Sequence, residues 1–188
     1  MSATASRLSV KPVTVKTWLD FETLFAAKGS PNYCWCMAWR ATSGEAEKAG
    51  HSWRKRAMRN RVESGTPVGL LGYLAGEPVA WCSVAPSTTY RRLRSDTEPS
   101  EDVWSLVCFF VRKEHRGEGI TKALLAAAIE HAKKRGAKVV EGYPVDEDSP
   151  SYRFMGFVPL FKAAGFREVG REGTRRHVLR LRVLPSAA

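Results

Sequence analysis

No run of apolar residues in this 188-residue chain approaches the roughly 18 needed to cross a bilayer. The opening MSATASRLSVKPVTV has no apolar core of signal-peptide length. A soluble, cytoplasmic chain without a membrane partner is expected. The four cysteines (Cys34, Cys36, Cys82 and Cys108) do not fall into the spaced pairs of a structural zinc site, so no metal is expected. Cys82 and Cys108 lie inside apolar runs, where a reduced thiol behaves as a small hydrophobe. The one-residue gap between Cys34 and Cys36 is poor geometry for a mutual disulfide, which also points to a reducing compartment. Negative charge is scarce: 19 Asp and Glu stand against 30 Lys and Arg, a net +11. Such a surface attracts anions, which include nucleic acid and phosphorylated cofactors. The basic stretches WRKRAMRNR and YRRLR read first as solvated faces, with nucleic acid the less favoured partner.

What is present is ordinary globular material, 44% hydrophobic and 26% charged, enough for one core without disulfides. Residues 9–184 are expected to form one domain, with 1–8 frayed and 185–188 a tail. Alternation predicts strands over 9–15, 68–74, 78–84, 138–143, 167–171 and 177–184, and the unbroken run WSLVCFFV (104–111) predicts a strand buried on both faces. Helical spacing predicts helices over 17–27, 45–64, 121–135 and 158–164. Ala75-Gly76-Glu77 is expected to close a hairpin, and 86–100 to be a long loop. Strands and helices mixed in this way specify an α+β sheet protein.

The sharpest local signal is the buried strand, the turn RKEH and the helix RGEGITKALLAAAIEHAKKRG. Gly117 and Gly119 lie where strand becomes helix. Without a Cβ there, a ligand can approach the backbone, and the free N–H groups of the first helical turn suit a phosphate. The alternative is a glycine-rich helix start with no ligand. A dinucleotide site lacks its third glycine and later acidic residue, and a P-loop lacks its Gly-Lys-Ser/Thr.

RGEGIT resembles the cofactor motif of the GNAT N-acetyltransferase superfamily, with Arg116 and Gly119 matching and Thr121 where a small residue is usual. LFKAAGFREV resembles that family's late helix and Gly-Phe turn, and NYCWCMAWR and VEGYPVD are similar to blocks of a bacterial subgroup. The resemblance runs from about Ser9 to Leu184. It implies a mixed, mostly antiparallel sheet with splayed middle strands, and acetyl-CoA as cosubstrate. Backbone groups of Phe109 and Val111 would meet the pantetheine and thioester. Arg116, Gly117, Glu118, Gly119, Ile120 and Thr121 would cradle the pyrophosphate. Acetyl transfer would go by direct attack of a primary amine, with no acyl-enzyme.

Two usual proton-handling positions are altered: Ser105 stands where some relatives carry a glutamate base, and Phe161 where many carry a tyrosine acid. Glu141, in an otherwise apolar strand, is the alternative base, and Tyr143 or Tyr152 the alternative acid. Either tyrosine also has an ordinary packing role open to it, and Glu141 that of a salt-bridged edge residue. Tyr33, Trp35, Trp39, Arg40 and Ser105 are the expected acceptor contacts, with Arg40 suited to a carboxylate, and the aromatic segment is equally readable as a tryptophan-rich mini-core beneath a loop. A small-molecule amine is the expected acceptor. A protein lysine or N-terminus, a non-catalytic acyl-CoA-sensing or RNA-binding role, and a homodimer stay open.

Overall fold

The computed structural model describes residues 4, 7–46, 52–91, 93 and 98–183. The expected frayed segment 1–8 and tail 185–188 lie largely or wholly outside them, although Leu8 packs on the core. The apolar run becomes β4 (Val103–Val111), the centre of a seven-stranded sheet. On one side lie β3 (Glu77–Pro86), β2 (Leu70–Leu74) and β1 (Ser9–Pro12). On the other side lie β5 (Val139–Gly142), β7 (Arg176–Arg182) and β6 (Arg167–Glu172). β4 and β5 run parallel and the other neighbours antiparallel, which is the expected mixed α+β sheet. Ala75 and Gly76 both have positive φ (49° and 86°), the type I′ geometry whose twist suits the β2–β3 hairpin.

The helices are α1 (Trp18–Ala26), α2 (Ser43–Ala46), α3 (Ser52–Glu63), α4 (Ile120–Lys134) and α5 (Val158–Ala163). The predicted helix over 45–64 is thus described as two pieces, with residues 47–51 outside the description. α2 begins with a reciprocal cap: the Thr42 N–H donates to Glu45 Oε2 and the Glu45 N–H to Thr42 Oγ1. α4 turns its Leu124, Leu125, Ala128 and Ala132 stripe onto Ala80, Cys82 and Leu106 of the sheet. The opposite face is covered by α1 and α3, where Phe21 and Phe25 meet Trp35 and Trp81 at ring centroid distances of 4.9–6.1 Å. The loop 86–100 opens with a 3-10 turn, Ser87–Thr89, and residues 92 and 94–97 lie outside the description.

Two irregularities of β4 make the site. Its pairing with β5 stops at Leu106↔Gly142, so the remainder of β4 has lost its parallel neighbour. The Phe161 ring is what closes that corner: a Cβ on Gly142 would stand 2.2 Å from Phe161 Cε1. The β3–β4 register also shifts at Ser83/Val84, where β4 carries the extra residue. Val107 and Cys108 consequently both face away from α4, while Leu106 and Phe109 face it.

Candidate active site

Beyond β4 the chain makes a 3-10 turn, Lys113–His115, and Arg116 folds back so that its Nε donates to Val111 O at 3.1 Å. Gly117 and Gly119 take left-handed φ values of 82° and 77°, which a side chain would strain. Gly119 is the N-cap of α4, no side chain caps the helix, and the Ala123 N–H is bonded to Gly119 O. The N–H groups of Ile120, Thr121 and Lys122 therefore lead the helix without intrahelical acceptors. Together with the helix dipole and Arg116 they form a cradle for an anion. A Cβ on Gly117 would meet nothing within 4 Å, so the turn borders open space. Ile120 contributes only its backbone, since its side chain is buried under the sheet. Glu118 sits 3.4 Å from the His115 imidazole.

From this cradle a cleft of about 710 Å³ runs along the unpaired edge of β4 to the 29–39 segment. Of the residues expected from the sequence, Tyr33, Trp39, Phe109, Val111, Arg116 and Thr121 line it. The opposing wall is Arg153, Phe154, Phe157 and Leu160, which sequence reasoning passed over. The signal was the aromatic spacing in SYRFMGF, where Phe154 remains 43% exposed in the fold. Cys36 and Cys108 also line the cleft.

Other expected residues sit elsewhere. Arg40 is a correction: it is 1% exposed and cannot meet an acceptor carboxylate. Its guanidinium donates at 2.8 Å to Ser83 Oγ, Val68 O and Tyr90 OH, and stacks 4.1 Å from the Tyr90 ring centroid. Trp35, held at positive φ (46°), turns its ring into the α1 cluster instead of the cleft, because Phe21 and Phe25 offer apolar area there. Ser105 is fully buried beside Glu141 in the β4–β5 register, and its Oγ has no hydrogen-bond partner among the described residues.

Glu141 is 2% exposed and is placed off the cleft wall, accepting from Tyr143 OH on Oε1 and from Arg180 Nε on Oε2. Tyr143 is buried, whereas Tyr152 stands at the rim with φ 59° and its ring 6.2 Å from that of Trp39. The Arg176 guanidinium joins the three aromatics, lying 4.7 Å from the Trp39 centroid, 5.7 Å from Tyr152 and 6.0 Å from Tyr143. Among the described residues no cluster of His, Cys, Asp and Glu suits a metal ion, and no helix is long and apolar enough to cross a membrane.

Solved acetyltransferases share this architecture. The GNAT domain of the S. lividans PAT protein superposes with a TM-score of 0.58 at 17% identity, covering 93% of this chain and 89% of its own. A ribosomal-protein-alanine N-acetyltransferase from Brucella melitensis gives 0.55 at 20% identity, covering 93% and 99%. The PaiA N-acetyltransferase from Thermoplasma acidophilum, solved in complex with coenzyme A, gives 0.53 at 13% identity, covering 94% and 99%. No curated protein sequence matches the chain. The sequence profile of the acetyltransferase (GNAT) family matches residues 33–166, which spans the cradle, the splayed strands and both walls of the cleft, and the chain belongs to that family.

Proposed function

We propose that the protein transfers the acetyl group of acetyl-CoA to the primary amine of a small molecule, by direct attack of the amine. The observation that carries this reading is the single cleft joining an anion cradle to an aromatic pocket along an unpaired strand edge. Arg116 and the N–H groups of Gly117 to Thr121 would hold the pyrophosphate, and the free edge of β4 at Phe109 and Val111 would bond the pantetheine. The Phe109 N–H would face the thioester oxygen as charge develops on it. A volume of about 710 Å³ lies within the usual range of small-ligand sites, roughly 300–1,000 Å³.

The lining also speaks to the acceptor. Its charged members are Arg116 and Arg153, and no carboxylate lines the cleft among the described residues. A polycation such as a polyamine or aminoglycoside would meet like charge with no counterion. Tyr33, Trp39, Phe154 and Phe157 instead suit a monoamine with an apolar or aromatic body, or one bearing its own carboxylate. Tyr33 and Phe154, 61% and 43% exposed at the mouth, also support a second reading, in which a protein N-terminus enters with its following residues across the rim.

The test is incubation with acetyl-CoA and amines spanning amino acids, aromatic monoamines, polyamines, aminoglycosides and short peptides, read by product mass. Acetylated aromatic monoamines or amino acids are expected. Selective acetylation of polyamines would overturn the acceptor assignment, and acetylated peptides alone would move it to protein N-termini.

A further inference from the structure

Two cations line the cleft, Arg116 at the cradle and Arg153 on the opposing wall. In the proposed function the pyrophosphate occupies the first. Arg153 opens the 3-10 turn Arg153–Met155, whose backbone is tied down at both ends: the Met155 N–H donates to Tyr152 O and the Gly156 N–H to Arg153 O. This turn lies against β4 at Phe109, since a Cβ on Gly156 would stand 3.3 Å from Phe109 Cε2. On its other side Tyr152 stands 6.2 Å from the Trp39 ring of the acceptor segment. Arg153 therefore belongs to the stretch of wall between the thioester position and the aromatic pocket.

We propose that Arg153 binds the carboxylate of the acceptor, and that the acceptor is an apolar or aromatic α-amino acid. The proposal rests on the acetyltransferase reading above and narrows its monoamine to one class.

The guanidinium is oriented in advance. Its Nη1 donates to Glu147 O and, at 3.3 Å, to Ser149 O, and the group stacks 4.8 Å from the Phe157 ring centroid. Held at one corner, a planar fork loses little further freedom on binding. Its Nε and Nη2 make no hydrogen bond among the described residues, and no carboxylate pairs with Arg153 there. Those two nitrogens share one edge of the guanidinium, and their parallel N–H groups match the two oxygens of a carboxylate. The lining thiol that charges most readily does not fill this place. At Cys36 the Cys108 side chain first, then the Arg40 charge and the Trp81 and Ser83 donors, outweigh burial and bring the thiol down to about 6. Its counterion is the buried Arg40, so Arg153 keeps its charge for a ligand.

An α-amino acid carries its amine and its carboxylate on the same carbon. Binding the carboxylate beside Phe109 therefore directs the amine at the acetyl carbon, and leaves the side chain to face Tyr33, Trp39 and Phe154. Arg153 orients the acceptor; no bond is made or broken at it.

The test uses the full-length protein, acetyl-CoA and probes that share one body: phenylalanine, phenylalaninamide and phenylethylamine. Leucine, leucinamide and isoamylamine repeat the series with a smaller body. The wild type is expected to favour the free amino acid by about 10- to 100-fold in kcat/KM over both partners in at least one series, the discrimination of one or two hydrogen bonds to a charged group. Arg153→Gln should bring that ratio close to one by raising the KM for the amino acid, with the KM for acetyl-CoA unchanged. Arg153→Lys, which keeps the charge but loses the fork, should fall between. A wild type that uses the amide or the decarboxylated amine as well as the amino acid overturns the proposal without any variant having to fold. Acetylation of other amines but of neither series overturns it too, while the acetyltransferase reading stands. In folded Arg153→Gln, equal losses on all three probes would make the residue structural, and a raised KM for acetyl-CoA alone would assign it to the cofactor; either result overturns the proposal. A wild type that acetylates nothing removes both readings.

Discussion

Replacing Arg40 by methionine tests the buried framework behind the cleft. The guanidinium donates three 2.8 Å hydrogen bonds and stacks on Tyr90. Hydrogen bonds to a charged group contribute about 1.5–3 kcal/mol each, but they cannot simply be summed here. Ser83 Oγ and Tyr90 OH retain each other at 3.0 Å, so Val68 O is the acceptor most nearly stranded, at about 1–3 kcal/mol. Loss of a desolvated cation–π contact adds roughly 2 kcal/mol. Against this, methionine restores apolar packing and removes the cost of burying a charge. The net expectation is a loss of about 2–4 kcal/mol, a large share of an ordinary domain's stability.

Urea unfolding at pH 7.5 measures this loss as a fall in midpoint at unchanged m. A loss under about 0.5 kcal/mol, the range of ordinary surface substitutions, would refute the buried placement. The pH dependence gives a second reading. A thiol whose folded pKa is depressed stabilises fully above its unfolded value, about 8.5, and loses that contribution as pH falls through about 6. Wild-type stability from this group therefore rises across that window, and Arg40→Met should shrink the rise. His131, whose pKa burial lowers, contributes a slope of the same sign but is common to both proteins, so the difference isolates Cys36.

Two further substitutions probe the splay. Gly142→Ala places a Cβ against the Phe161 ring, which is itself held by Phe109 and Phe166, and is expected to cost about 1–3 kcal/mol in chemical denaturation. Adding Phe161→Leu should make the pair less than additive, and strict additivity would contradict the wedge. Glu141→Gln is expected to lower stability by removing the partner of Arg180, yet to reduce turnover less than the roughly 10²–10⁴-fold of a lost general base. A loss of that larger size, with cofactor affinity intact, would return Glu141 to the chemistry.

The parts of this fold legible in the sequence were those written in short spacings. The β4 run, the α4 stripe, the paired glycines and the hairpin turn are local patterns, and each appears within a residue or two of expectation at most of its ends. The site was harder because its partners are distant in the chain. Arg40 finds Val68, Ser83 and Tyr90 only after the sheet forms, so an arginine in an aromatic segment read as exposed. Glu141 was legible as a carboxylate in an apolar strand, but Arg180 beside it depends on the β5–β7 register. Cys108 turns to the same side of the sheet as Val107 because of a bulge in β4, and strict alternation gives no sign of it. The capping pair Thr42 and Glu45 was, by contrast, a local signal that was overlooked.

In the proposed function the turn from Arg116 to Thr121 holds the pyrophosphate of acetyl-CoA. Calorimetric titration of acetyl-CoA into the wild type and Gly119→Glu checks this placement, with thermal melting of both to confirm folding. At φ 77° a glutamate is strained, and its charge would face the bound anion at the helix N-terminus. Saturable one-to-one binding by the wild type and at least about 100-fold weaker binding by the folded variant, roughly 2.7 kcal/mol, are expected. Equal affinity in the two proteins would place the pyrophosphate away from this turn.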